Sequence, residues 1–316
     1  MTSNKPEVLY YWCLQYTKEN FDYLTDTFLV QVLDDPRHDS KLSEAQRQSI
    51  EAIFLPHGFS FNAQQLGKFP KLRIIASNTT TKPDLSAQVD RLKIIYLDDP
   101  QFLDDITATA EHALGLMHAV HRQIDGACTH VKAGLWNRYE FGAPKMLSKM
   151  HAVIWGHGRV GRHLSLRTRP LFSSINYIEE GNADEWINDR LAEADVLFLT
   201  MSVVGKQPVV TRDRLKQLPK QAIVINVSNG EVLDHTALFG MLLEGSIRGA
   251  GLDVLPRDHA YPYGETSDEW EWAKDYMRDH TNLIVTPHIA GSTEDAWQDT
   301  QRWVIDRVKE ILCQTS

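Results

Sequence analysis

The sequence predicts an α/β fold in which parallel sheets are covered by helices on both faces. Short apolar runs rich in β-branched and aromatic residues alternate with polar stretches of helical length, which is the pattern of parallel strands joined by crossover helices. One run, Ala152 to Trp155, leads straight into Gly156, Gly158 and Gly161, spaced G-x-G-x-x-G. With 316 residues the chain is long enough for two domains, each with a core of its own.

Composition narrows the class of partner. Hydrophobic and charged fractions of 42% and 24% are those of an ordinary soluble globular protein. A net charge of −9 argues against nucleic acid or an anionic membrane surface as partner. The amino terminus, Met1-Thr-Ser-Asn-Lys-Pro6, has no apolar leader segment, and no apolar run reaches membrane-spanning length. Cys13, Cys128 and Cys313 are far apart, form no metal-binding spacing and cannot all pair, so packing roles in a reducing cytoplasm are expected.

Taken in order, strands are expected at Val8–Trp12, Phe28–Leu33, Ala52–Leu55, Leu72–Ala76 and Lys93–Leu97, with a helix near Ser43–Glu51. In parallel sheets ligands sit beyond the carboxyl ends of the strands. Two such ends are conspicuous: Pro56-His57-Gly58, and the hydroxyl-rich turn Ser77-Asn78-Thr79-Thr80-Thr81-Lys82, whose backbone N–H groups suit a carboxylate. Asp105 to Arg122 carries apolar residues at i, i+3, i+4 and i+7 and reads as one long linker helix. Its His112, His118 and His121 have no accompanying cysteine or carboxylate constellation, so no metal is expected and they read as solvated or capping histidines.

The glycine-rich stretch carries the chemistry. The first glycine makes a tight turn, the second lets backbone approach a pyrophosphate, and the third packs the next helix against the strand. A helix over Arg159–Leu171, ended near Pro170, places free N–H groups and a positive dipole end at the phosphates. The second strand, Ile175–Ile178, ends in Glu179 and Glu180. A carboxylate there accepts hydrogen bonds from a ribose 2′-OH and repels a 2′-phosphate, so NAD is favoured over NADP. Further strands are expected at Ala194–Thr200, Gln221–Asn226, Gly249–Val254 and Leu283–Thr286, with a helix over Thr236–Glu244. Pro256–His280 is a long aromatic and acidic segment with a short surface helix at Trp270–Arg278. It reads equally as a rim or subunit contact and as a solvated insertion.

Together, Thr109-Ala-Glu-His112, Gly134-Leu-Trp136, Gly156-His-Gly-Arg-Val-Gly161, Asn226-Val-Ser-Asn-Gly230, Gly249-Ala-Gly-Leu-Asp-Val254 and Thr286-Pro-His-Ile-Ala-Gly291 resemble the D-isomer-specific 2-hydroxyacid dehydrogenase family. The resemblance covers nearly the whole chain. It implies two doubly wound parallel-sheet domains: a Rossmann cofactor domain (residues 109–291) inserted into a flavodoxin-like substrate domain (residues 1–108 and 292–316), with a return helix over Glu294–Ile311. It further implies an NAD-dependent oxidoreductase acting on a small 2-keto or 2-hydroxy acid, and a homodimer formed through the cofactor domain. On this reading the cofactor is held by Thr109, Gly156, Gly158, Arg159, Val160, Gly161, Glu179, Met201, Val227, Asp253 and Gly291. The substrate is held by His57, Asn78, Thr79, Thr80 and Lys82.

By the same resemblance His288, in the Thr-Pro-His motif, exchanges the hydroxyl proton. Asp258 stands where the family has a glutamate that orients this histidine and raises its pKa. Asn229 stands where the family has the arginine that clamps the substrate carboxylate. An amide offers neutral hydrogen bonds in place of a charged bidentate fork, and loss of such a donor typically costs on the order of a hundred- to a thousand-fold in rate. The competing expectation is therefore a protein that binds NAD(H) with little or no turnover, serving as a sensor or partner-binding module. Lys82 and Arg257 are the remaining sources of positive charge.

Overall fold

The computed structural model describes residues 5–34, 36, 41–59, 61–83, 85, 91–201 and 208–313. Of the amino-terminal segment read for a leader, residues 1–4 lie outside this set. The chain forms two compact units, one of Met1–Asp105 with Ser292–Ser316 and the other of Ile106–Gly291.

In the first unit the elements run β1 (Glu7–Tyr11), α1 (Lys18–Thr27), β2 (Leu29–Leu33), α2 (Glu44–Ser49), β3 (Ile50–Phe54), α3 (Ala63–Gly67), β4 (Ile74–Ala76), β5 (Lys93–Ile95) and α4 (Pro100–Asp104). All pairings are parallel, in the order β2-β1-β3-β4-β5. This is the flavodoxin-like order, and strand direction of winding reverses between β1 and β3. The central strands read as unbroken apolar runs because both faces are covered; every residue of β3 except Glu51 is buried. β4 and β5 are shorter than the apolar runs around them, since only Ile74–Ala76 and Lys93–Ile95 pair. Ser43 and Asn62 start α2 and α3 with reciprocal caps, their side chains accepting from Gln46 and Gln65 N–H.

The second unit continues with α5 (Ala108–His121), α6 (Ile124–Lys132), β6 (His151–Trp155), α7 (Arg159–Thr168), β7 (Ser174–Ile178), α8 (Asp184–Ala192), β8 (Val196–Leu199), α9 (Arg212–Leu215), β9 (Ile223–Asn226), α10 (His235–Leu243), β10 (Gly249–Leu252), α11 (Asp268–Asp279) and β11 (Leu283–Val285). Its six-stranded parallel sheet has the order β11-β10-β9-β8-β6-β7. Alternate residues feed two cores. Val153, Trp155, Leu197 and Val224 face one side, while Ala152, Ile154, Phe198 and Ile225 face the other with Ala113, Leu116, Met117 and Val120 of α5. That period of two is the strand signature hidden in a continuous apolar run. The winding reverses between β6 and β8, and the glycine-rich loop leaves β6 at that switch point, where such sheets bind ligands.

The helix read over Asp105–Arg122 is one element that begins three residues later, at Ala108, and ends at His121. α4 ends at Asp104 and α5 begins at Ala108, with Thr107 turned to hydrogen-bond Glu111 at 2.6 Å. α7 stops at Thr168 instead of Leu171, because Pro170 has no N–H to continue it. α11 is no solvated insertion. Its Ala273 and Tyr276 are buried, and Trp272 stacks on Phe239 of α10 at 3.9 Å. Cys128 and Cys313 are exposed and Cys13 is half-buried, so the expected packing role fails for the first two.

The chain returns to the first unit through α12 (Glu294–Cys313). Val304, Ile305 and Val308 are fully buried there, and the Gln301 carboxamide accepts from Thr17 N–H at 2.8 Å. Among the described residues no helix is long and apolar enough to cross a membrane.

Candidate functional site

Three glycines shape the loop after β6, each for a different reason. Gly156 has φ 102°, and a Cβ on it would stand 2.5 Å from Met201 N. A Cβ on Gly161 would stand 2.0 Å from the Gly156 carbonyl oxygen. Both are closed to any side chain by backbone. Gly158 differs: among the described residues no atom lies within 4 Å of where its Cβ would be. It precedes the ten-residue α7, so bare backbone and free N–H groups front open space at the positive end of a helix. A pyrophosphate fits that arrangement. Val160 packs into the core, Val227 is buried, and Met201 is half-buried beside Gly156. Arg159 donates from Nη1 to the Ile106 carbonyl, which directs it toward the start of α5.

Glu179 ends β7 with an exposed side chain. Its N–H donates to Asn182 Oδ1 at 2.8 Å, and His157 Nδ1 lies 3.4 Å from its Oε1. Thr109 and Gly291 face each other at the ends of α5 and the loop after β11.

His288 sits in that loop with φ 54°, a left-handed conformation that a non-glycine residue adopts only under constraint. The constraint is Asp253, whose carboxylate accepts from Thr286 Oγ1 at 2.6 Å, Ile289 N–H at 2.9 Å and Ala290 N–H at 2.8 Å. The Asp253 carbonyl accepts from His288 N–H at 2.9 Å. Burial alone would raise the Asp253 pKa. The bonds from His112, Thr286, Ala290 and Ile289 together outweigh it and hold the group below its ordinary value. Asp253, expected at the cofactor, is 1% exposed, with both oxygens engaged by the His288 loop.

The side chain of His288 places Nδ1 3.0 Å from Asp258 Oδ2. Asp258 raises the histidine's pKa by hydrogen bond, against the opposing effect of burial, and its charge adds to the rise. Asp258 follows Arg257, itself left-handed at φ 56°, whose N–H donates to Glu231 Oε1 at 3.0 Å. Gly230 lies so close to this segment that a Cβ would stand 2.2 Å from the Leu255 carbonyl carbon. The Asn229 loop thus buttresses the turn that presents Asp258. Asn229 caps a short 3-10 turn, its Oδ1 accepting from Glu231 N–H at 2.9 Å.

In the first unit, His57 and Asn78–Lys82 lie at the carboxyl ends of the neighbouring strands β3 and β4. His57, Thr80 and Lys82 are exposed. Ser77 Oγ donates to the Leu55 carbonyl at 3.0 Å and Thr79 Oγ1 to the Thr81 carbonyl at 2.8 Å, so the turn is internally braced. Asn78 Oδ1 is buried without a hydrogen-bond partner among the described residues.

Two of the linker histidines, His112 and His121, make specific contacts in place of the solvated or capping roles read from sequence. His121 is 2% exposed and its Nε2 lies 3.0 Å from the Lys145 carbonyl. His112 Nε2 lies 3.0 Å from Thr286 Oγ1 and 3.3 Å from Asp253 Oδ1. Since the threonine hydroxyl donates to Asp253, His112 is the donor to that hydroxyl. The i, i+3, i+4 stripe of α5 gave no hint of this, because the partners are more than a hundred residues away. His157 and Glu231 were likewise missed; the first sits at an open position of the glycine motif, and the second directly follows the Asn226–Gly230 motif.

A flavodoxin-like unit joined to a six-stranded unit with a glycine turn at its switch point defines a dinucleotide-binding class of α/β protein. Residues 114–290 match the NAD binding domain of the D-isomer specific 2-hydroxyacid dehydrogenases, and the chain belongs to that family. It is 28% identical over 234 residues to D-3-phosphoglycerate dehydrogenase of Synechocystis, and 30% identical over 278 residues to that of Methanocaldococcus jannaschii. These alignments cover 70% and 84% of this chain but only 39% and 50% of those enzymes, so the chain spans about half their length or less. In fold it resembles D-lactate dehydrogenase of Aquifex aeolicus, a structure complexed with NAD and lactic acid. The TM-score is 0.79, covering 97% of this chain and 96% of that one at 17% identity.

Proposed function

We propose that this protein is an NAD-dependent oxidoreductase that interconverts a small 2-keto acid and its 2-hydroxy acid. The observation that carries the reading is the His288–Asp258 pair at 3.0 Å, with the histidine's pKa raised. It stands in the same unit as a glycine turn fit for pyrophosphate and a carboxylate, Glu179, fit for a ribose diol. Bound NAD(H) would supply or accept the hydride at its nicotinamide ring. Around it Gly156, Gly158, Arg159, Val160, Gly161, Met201, Val227, Thr109 and Gly291 form the cofactor's seat, and Asp253 acts from behind by fixing the His288 loop. In reduction, protonated His288 gives its proton to the carbonyl oxygen of the substrate; in oxidation the neutral ring takes it back. Asp258 keeps the imidazole oriented and stabilises its protonated form. His57, Asn78, Thr79, Thr80 and Lys82 hold the substrate's remaining polar groups, and Asn229 contributes an amide donor where the family's arginine would stand.

The assembly we propose is a homodimer through the cofactor domain. Ile124, Val131, Leu135, Trp136, Tyr139 and Met146 are all exposed in one stretch of that unit, more apolar side chain than a lone subunit usually presents. Sedimentation or light scattering gives twice the chain mass on this reading.

A second reading has an observation in its favour. The Asn229 Oδ1 is already used as a turn cap, which is a structural role for the position where the family has its carboxylate clamp. On that reading the protein binds NAD(H) without dehydrogenase activity and serves as a sensor or partner-binding module. Oxidation of NADH against a panel of 2-keto acids separates the two. Turnover abolished by His288→Asn supports the enzyme; tight NADH binding with no turnover on any member supports the binding module.

A further inference from the structure

His157 occupies the open position between the first two glycines, where the spacing itself demands nothing. Its imidazole lies against the ring of Tyr177 in β7, with centroids 4.3 Å apart and planes tilted by 43°. The Tyr177 hydroxyl is fixed in turn by Ser165 of α7, 2.6 Å away. The same imidazole places Nδ1 3.4 Å from Glu179 Oε1. One ring therefore ties the glycine turn to the side chain read as the ribose acceptor.

Glu179 needs such a tie. Its backbone is held by Asn182, but its side chain is 58% exposed, and a free glutamate samples several rotamers that binding must freeze. A carboxylate that can swing into water also tolerates an incoming phosphate by moving away. One that is held cannot.

We propose that His157 is a specificity-determining positioning residue: it holds the Glu179 carboxylate in the orientation that accepts both ribose hydroxyls and rejects a 2′-phosphate. This rests on the reading of Glu179 as the ribose acceptor. The imidazole Nδ1 stands on the Oε1 side of the carboxylate, 3.4 Å away, which leaves Oε2 to face the ribose hydroxyls. Packing on Tyr177 keeps the imidazole from following the carboxylate outward.

The test titrates the full chain with NADH and with NADPH by fluorescence, for the unmodified protein, His157→Phe, His157→Gln, Glu179→Gln and the double variant H157F/E179Q. Phe keeps an aromatic ring on Tyr177 but removes the donor; Gln keeps a donor and removes the ring. His157→Phe should weaken NADH about five- to tenfold, as for loss of one ordinary hydrogen bond. Its NADPH affinity should change less than twofold. His157→Gln should restore most of the lost preference. In the Glu179→Gln background His157→Phe should add less than a twofold change, because the two residues act as one. Where Phe lowers the melting temperature, His157→Leu carries the same comparison. If Glu179→Gln abolishes the preference for NADH while His157→Phe and His157→Leu leave it intact, Glu179 acts unaided and the proposal is wrong. If His157→Phe weakens NADPH more than NADH, the imidazole serves phosphate, and the proposal is again wrong. If Glu179→Gln leaves the preference untouched, the reading of Glu179 itself fails, and the inference with it.

Discussion

His288 Nδ1 lies 3.0 Å from Asp258 Oδ2, and the backbone is left-handed both at His288 and at Arg257, the residue before Asp258. Two constrained turns thus meet at one acid–base pair. Because Asp258 raises the histidine's pKa, imidazolium persists to higher pH than in a free histidine. On the proposed chemistry, keto-acid reduction needs the imidazolium, so its kcat/KM should fall as pH rises through this raised pKa. Hydroxy-acid oxidation needs the neutral ring and should rise over the same range. Asp258→Asn removes the charge and should move both profiles to lower pH. Profiles that do not move would show that Asp258 is not the controlling partner.

Replacing His288 with Asn should leave the Kd for NADH within about twofold while lowering turnover by about a hundredfold or more, since proton transfer is the step removed. Stopped-flow single-turnover measurements separate that loss from any slowing of product release. Wild-type turnover in this variant would remove His288 from the chemistry.

Asp253 makes a prediction about stability. Its folded-state pKa is depressed below the ordinary 3.8 by hydrogen bonds that outweigh its burial. A depressed carboxylate adds stability that is fully present above the unfolded pKa and is lost as pH falls from about 3.8 toward the folded value. Asp253→Asn keeps one acceptor oxygen and loses the charge, which should cost about 2–4 kcal/mol, or roughly 5–10 °C of melting temperature. The variant's acid-unfolding curve should be flatter below about pH 4. An unchanged melting temperature would mean that the four donors around Asp253 do not depend on its charge.

The glycine turn separates space for structure from space for ligand. Gly161→Ala puts a Cβ 2.0 Å from a backbone oxygen and should lower the melting temperature by several degrees, about 1–3 kcal/mol of overpacking. Gly158→Ala meets no atom of the described residues within 4 Å and should melt like the unmodified chain. Its methyl group stands where the pyrophosphate is proposed to approach, so NADH binding should weaken about tenfold or more. Normal NADH affinity in Gly158→Ala would place the phosphates elsewhere.

The fold was legible from local chemistry, and so was the glycine turn after β6. Alternating apolar runs predicted both sheets because each strand buries two faces, and the three glycines mark a turn that only their spacing permits. What escaped was long-range. Nothing beside His112 in sequence points to Thr286 or Asp253. His157 is read only once Tyr177 and Glu179 are brought to it by the pairing of β6 with β7. The linker helix reads from Asp105, whereas α5 begins at Ala108, because Ile106 extends the apolar stripe and no glycine or proline marks the start. Asn229 illustrates a different limit. Its substitution is plain in the sequence, whereas its use as a cap for the Glu231 N–H appears only in three dimensions.

That cap leads to the prediction with the most at stake. If the protein is an enzyme, its substrate carboxylate is held without the family's arginine. Pyruvate and glyoxylate offer little binding energy remote from the reacting carbon to offset a weaker clamp, so the unmodified protein should reduce them slowly. A bulkier or more polar keto acid should do better. Asn229→Arg should raise kcat/KM on the two small acids by about tenfold or more, since a charged fork replaces a neutral amide. The same change removes the acceptor from Glu231 N–H and should cost about 1 kcal/mol of stability. Melting temperature therefore checks that the Asn229 loop still supports the turn through Gly230 and Arg257. Fast reduction of pyruvate or glyoxylate by the unmodified protein would show that the substrate is clamped from elsewhere, with Lys82 and Arg257 the first positions to replace. No activity in either form, with NADH bound tightly by both, would favour the protein as a dinucleotide-binding module.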